Sequence, residues 1–172
     1  MRTKIIKLSL FLALAFIIDS TITYLTPYKI RGSYEFVSSI GILSFLYVVN
    51  ALKLRYQYWY ALAVGFYYSI IYANSQFIYV WLFMIDVFLI HSYIKTRKIS
   101  FNESLVNSVG LIVIHQTIPF IAYSLANMTN LSVTQFIFLR FLPTLIGNMI
   151  FGVIIYFVVD QLEIFEVEQT FY

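Results

Sequence analysis

The run Phe136–Val159, FIFLRFLPTLIGNMIFGVIIYFVV, decides the fold class. It carries one formal charge, Arg140, in a stretch long enough to cross the hydrocarbon core of a bilayer, which takes about 20 mostly apolar residues in a helix. The rest of the chain does not dilute it. Of 172 residues, 61% are hydrophobic and 11% charged, whereas a soluble domain carries about 25% charged residues. A soluble fold of this size has too few charges to cover its surface, while lipid asks for apolar surface.

Working outward, five more apolar stretches come close to spanning length: Ile5–Leu25, Tyr34–Leu52, Tyr58–Tyr72, Phe77–Tyr93 and Leu105–Leu125. Only Ala73-Asn74-Ser75-Gln76 separates the third from the fourth. They form either a tight helical hairpin or one span beside a re-entrant segment, so five or six spans stay open. No repeat, linker or low-complexity segment divides the chain. The expectation is an all-α integral membrane protein, one domain over residues 1–172, built as a bundle of about six transmembrane helices. The first span begins with Arg2, Lys4 and Lys7, as a signal peptide would. Asp19 interrupts it and no small-x-small cleavage site follows, which favours an uncleaved first span.

Charge gives the expected orientation. Counting from an inside N-terminus, one side collects Arg2, Lys4, Lys7, Lys53, Arg55, Lys95, Arg97 and Lys98, and the other only Lys29 and Arg31. This bias places both termini in the cytoplasm. The acidic tail, Asp160, Glu163, Glu166 and Glu168, weighs little in that rule. The net charge of +3 comes from short clusters between apolar runs, a pattern of membrane orientation rather than of a nucleic-acid groove. Tyr56, Tyr58, Trp59 and Tyr60 beside Lys53 and Arg55 mark a headgroup boundary.

Five ionisable residues fall inside the apolar runs: Asp19, Asp86, His91, His115 and Arg140. Burying a charge in hydrocarbon is costly, so each needs a partner or a wet cavity. Asp19 and Arg140 share a depth near the outer side, which predicts an Asp19–Arg140 ion pair between the first and last spans. Asp86 and His115 sit near mid-depth and are expected to hydrogen-bond, as polar glue between helices or as a proton or ligand site. His91, near the inner end of its span, is expected to reach the headgroups. Pro143 and Pro119 are expected to kink their helices.

No carboxylate stands at i+3 or i+4 from either histidine, so no metal site is expected. Cysteine is absent, which removes disulfides, cysteine–zinc sites and thiol nucleophiles. There is no Gly-rich phosphate loop, no G-x-S-x-G elbow and no paired carboxylates for acid–base work. The chain reads as a non-enzyme without a cofactor.

The segment Arg140-Phe141-Leu142-Pro143-Thr144-Leu145-Ile146-Gly147-Asn148-Met149-Ile150-Phe151 resembles the last span of the rod shape-determining protein MreD family, with its Pro-Thr-x-x-x-Asn stretch near the C-terminus. Phe16-Ile17-Ile18-Asp19-Ser20 is similar to the first span of Gram-positive members, and the span ending at His91 before Lys95, Arg97 and Lys98 is similar too. The chain departs from the family at Ser69, which follows Gly65 where many members carry Asp, so no acidic role is carried over there. The resemblance implies a non-enzymatic subunit of the bacterial elongation complex in the cytoplasmic membrane. Its partners would be MreC directly, and MreB, RodA and a class B penicillin-binding protein indirectly. It also implies a fold similar to the S-components of energy-coupling-factor vitamin transporters, which makes such an S-component the alternative function. Small-residue Ala-x-x-x-Ala faces would be expected of that alternative, and Ala13 and Ala15 are two apart. The expected partner-helix surface is Pro143, Gly147, Asn148 and Gly152 on the last span, beside the first.

Overall fold

The central helix of the bundle is its shortest. The computed structural model describes residues 2–25, 34–73, 77–94 and 99–162, and in them six helices follow one another. They are α1 (Arg2–Leu25), α2 (Ile40–Ala51), α3 (Leu54–Ile71), α4 (Ile78–Tyr93), α5 (Phe101–Leu125) and α6 (Val133–Gln161). Within α6, Phe136–Phe141 is wound in π register. Successive helices run up and down. The Leu25 end of the bundle gathers the starts of α2, α4 and α6, and the Arg2 end gathers the starts of α3 and α5.

Every residue of α2 from Ile40 to Val49 is buried, and α2 touches each of the other five helices. A helix apolar all round belongs inside, and this one carries no charge to resist burial. The outer helices bury one face each. On α1 the inward row is Leu8, Leu12, Ala15, Phe16 and Asp19, and the outward row Ile6, Leu10, Leu14, Ile17 and Ile18 is apolar and exposed. On α6 Thr144, Asn148, Gly152, Ile155 and Val159 face in, while Ile146, Ile150, Ile154 and Phe157 face out. On these two rows the polar side chains Asp19, Thr144 and Asn148 face in and the outward positions are apolar, a surface suited to lipid.

Local signals set several boundaries. Ser100 and Glu103 form a capping box at the start of α5, with Glu103 Oε2 accepting Ser100 N at 2.8 Å and Ser100 Oγ accepting Glu103 N at 3.3 Å. Ser132 and Gln135 do the same for α6. The α3–α4 hairpin closes on Gly65, where a Cβ would stand 2.7 Å from the Val80 backbone, so only glycine admits this approach. Phe45 of α2 meets Phe83 of α4 edge-on, with centroids 4.8 Å apart, and locks the hairpin to the centre.

The helices α1 (from Thr3), α5 and α6 are long and apolar enough to cross a membrane. Two others are too short to cross it alone. With 12 and 16 residues, α2 and α4 reach only about 18 and 24 Å, against a hydrocarbon core of about 30 Å. The correction is largest in the second stretch. It was expected to be helical from Tyr34, yet helix begins at Ile40 and residues 35–39 run without regular structure. Lys29, Arg31, Lys95, Arg97, Lys98, Glu163, Glu166 and Glu168 lie outside the described residues, and so does part of the Ala73–Gln76 connection.

Candidate functional site

The polar half of the last helix explains why α2 starts late. Pro143 has no N–H, so the carbonyl four residues back, that of Leu139, loses its ordinary helical donor. The turns just before it are in π register, with Leu142 N bonded to Ile137 O. Leu139 O accepts instead from Glu35 N at 2.6 Å. One turn on, Thr144 Oγ1 accepts Val37 N at 3.2 Å. One turn further, Asn148 Oδ1 accepts Ser39 N and Asn148 Nδ2 donates to Val37 O, both at 2.7 Å. Asn148 Nδ2 also donates to Thr144 O at 2.8 Å, which fixes its amide. Glu35, Val37 and Ser39 are thus tied in turn along α6 (residues two apart, one edge of an extended chain).

Asp19 completes the arrangement from the other side. Its Oδ1 accepts Ile40 N at 3.1 Å and its Oδ2 accepts Gly41 N at 3.3 Å. The first amides of a helix have no partners within it, and here those of Ser39, Ile40 and Gly41 bond to side chains of α6 and α1. Ser39, the N-cap residue, makes no cap bond with its own hydroxyl. A carboxyl group at this end also meets the positive pole of α2. Asp19, Thr144 and Asn148 are all buried. Phe36 lies over Gly147, where any Cβ would run into its ring, and over Phe151 with centroids 6.2 Å apart. This clasp is the candidate site.

Two expectations are corrected here. Asp19 does not pair with Arg140. The Arg140 Nη1 stands 3.7 Å from Glu35 Oε2, and Asp19 is engaged with α2. The two share a depth, but α1 packs on α2 and not on α6, so the start of α2 lies between them. Nor do Gly147, Asn148 and Gly152 present a surface to a partner helix. Asn148 and Gly152 are buried, Gly147 is covered by Phe36, and Gly152 faces Ser108 and Leu43. Pro143 beside them is half-buried.

The opposite end of α2 has a device that the sequence reading missed. The buried Gln57 of α3 donates from Nε2 to Val49 O at 2.9 Å and to Leu52 O at 3.0 Å. Its Oε1 accepts from His91 Nε2. His91 is exposed, yet it is tied to Gln57 instead of reaching freely outward. The available signal was a lone amide just past Lys53, where the apolar run breaks.

Asp86 and His115 meet at the middle of α4 and α5, with Oδ2 and Nε2 2.7 Å apart and both side chains buried. Phe83 stands edge-on to the His115 ring at 5.2 Å, and the Tyr79 ring lies 6.1 Å from it. Among the described residues no group of three or more His, Cys, Asp or Glu is placed to hold a metal ion. In the clasp the side chains of Asp19, Thr144 and Asn148 are already in use on backbone groups, while the buried Ser39 hydroxyl has no partner among the described residues. What the clasp does chemically is hold backbone, keeping an extended segment in place inside an apolar bundle.

Comparison with protein-family models, curated proteins and solved structures finds no match.

Proposed function

We propose that this chain is a non-enzymatic membrane subunit of the bacterial cell-elongation complex, of the MreD kind, which holds MreC and through it the wall synthases. The observation that carries the reading is the Pro143-Thr144-…-Asn148 stretch of α6. Each residue of this signature has a structural task in joining the last helix to the α1–α2 connection. The apolar outward rows of α1 and α6 support a bilayer location. In this reading the six helices lie in the cytoplasmic membrane with both termini inside. The shortfall of α2 is made up by backbone that runs from half-buried at Glu35–Val37 to buried at Ser38 and Ser39 and is bonded to α6, and irregular backbone at membrane depth is tolerated where protein covers it or it lines a wet cavity. Because Gly147, Asn148 and Gly152 are turned inward, a partner helix would meet the outward row Ile146, Ile150 and Ile154 or the α1 row Leu10, Leu14 and Ile17.

The test is crosslinking in native membranes with a tagged chain, followed by identification of the captured proteins. MreC recovered together with wall-elongation proteins supports the proposal. Recovery of transporter ATPases and their coupling subunit instead would replace it with the vitamin-transporter S-component reading.

A further inference from the structure

The Asp86–His115 couple holds no helix end. Each residue spends one atom on the other, and each keeps a second polar atom, Asp86 Oδ1 and His115 Nδ1, buried with no hydrogen-bond partner. Buried polar atoms are almost always satisfied, so two orphans on adjoining residues call for a reason. Gluing α4 to α5 needs no ionisable groups at all. A carboxyl–imidazole couple adds one capacity to glue, which is to take up and release a proton.

The surroundings fit that use. On α4, Tyr79 lies beside the His115 ring, and its side chain hydrogen-bonds to Tyr123 of α5. Arg140 of α6 lies close enough to act on Tyr123 electrostatically, and it pairs with Glu35, both partly exposed at the Leu25 end. From α3, Tyr68 has its ring 4.8 Å from that of Tyr79. From α2, Tyr47 bonds to Ser104, near the start of α5 and away from the couple. Of the remaining ionisable groups on these helices, Arg55, Tyr56, Tyr58, Tyr60, His91, Tyr93, Glu103, Tyr156 and Asp160 lie toward the Arg2 end, and Tyr67 of α3 lies toward the Leu25 end with its ring against Phe16 and Tyr72. Tyr79, whose ring packs beside His115 without a hydrogen bond to the couple, and Tyr123 therefore stand between the couple and the Leu25 end of the bundle.

We infer that Asp86 and His115 form a proton-binding site at the middle of the bundle, loaded from the Leu25 end along Tyr79 and Tyr123. The step is a plain proton transfer. One proton from solvent at the Arg140–Glu35 end comes to rest on the couple, only O–H and N–H bonds change, and the net charge of the couple rises by one. The inference is independent of the proposed partners.

The chain has only two histidines, so nitrogen-labelled imidazoles in the native protein in lipid nanodiscs give a readable spectrum. His91, being exposed, is identified by broadening with a soluble paramagnetic agent. His115 is expected to show a reversible change of its ring nitrogen shifts as the pH is lowered across the range in which the protein stays folded. After a pH jump, Tyr123→Phe is expected to slow that change several-fold without abolishing it, and Tyr79→Phe serves if the first variant does not assemble. His115 shifts that stay fixed across the range overturn the site. Titration at an unchanged rate in both tyrosine variants overturns the route.

Discussion

The two ends of α2 are held in opposite styles. At the Ser39 end, three amides and one carbonyl bond to a carboxyl group and an amide brought from α1 and α6, across sequence separations of 21 to 111 residues. At the Ala51 end, one neutral amide serves two carbonyls from only 5 and 8 residues away. The second cap forms within the α2–α3 turn itself. The first exists only once α1 and α6 have both arrived. The difference teaches that a short central helix need not cross the bundle alone. One end is finished locally, and the other is finished by the assembly, so its integrity reports on the whole fold.

The comparison breaks most sharply at Asp19. Asp19→Ala leaves the buried Ile40 and Gly41 amides without acceptors, and each buried orphan costs about 1–3 kcal/mol, so a loss of about 3 kcal/mol is expected. Asp19→Asn keeps one oxygen acceptor and should lose about half as much, on the order of one such bond. Denaturant or thermal unfolding in nanodiscs reads both. A native-like midpoint for Asp19→Ala would mean that α2 does not need this cap. Next comes Asn148→Ala, which removes one acceptor and one donor and is expected to cost about 2 kcal/mol. The double variant should cost less than the sum, because both side chains secure the same few residues. Strict additivity would show that the clasp is not one unit.

How far the sequence foretold this can be seen residue by residue. The six helical regions were legible from apolar runs, and the need of Asp19, Asp86 and His115 for partners was legible from the cost of burying them. Asp86 and His115 sit at similar depth on consecutive antiparallel helices, where depth suffices to name a partner. Asp19 and Arg140 show where depth fails. Lateral neighbours depend on how the helices are arranged around α2, which no run length encodes. The start of α2 was hidden for another reason. Glu35, Ser38 and Ser39 break the run Tyr34–Leu52 near its start, but what holds the edge is Thr144 and Asn148, more than 100 residues later. Pro143 was read as a kink. Its larger consequence is the freed Leu139 carbonyl, which is visible only when Glu35 is seen to use it.

The local end should be softer. Gln57→Ala removes two donors from carbonyls at the end of α2, where nearby backbone can adjust. A loss of about 1.5 kcal/mol is expected, below that of Asp19→Ala in the same assay. His91→Gln, which removes only an exposed partner of Gln57, should cost less still. If Gln57→Ala proved the more damaging of the two caps, the ranking of distant over local closure would be reversed.

The smallest effect sharpens the comparison by isolating charge from clasp. Arg140 and Glu35 flank the clasp, but their side chains are 38% and 29% exposed and their closest atoms are 3.7 Å apart. Screening by solvent leaves such a pair about 0–1 kcal/mol, and the Glu35 backbone bond to Leu139 survives any change of its side chain. Glu35→Gln is therefore expected to shift the unfolding midpoint little, and the exchange Glu35→Arg with Arg140→Glu to restore what either reversal alone loses. A large loss from Glu35→Gln would mean that side-chain charge holds the segment. A small one leaves Leu139, Thr144 and Asn148 as its fastening, and the proline that frees the first of them as the reason the strip lies where it does.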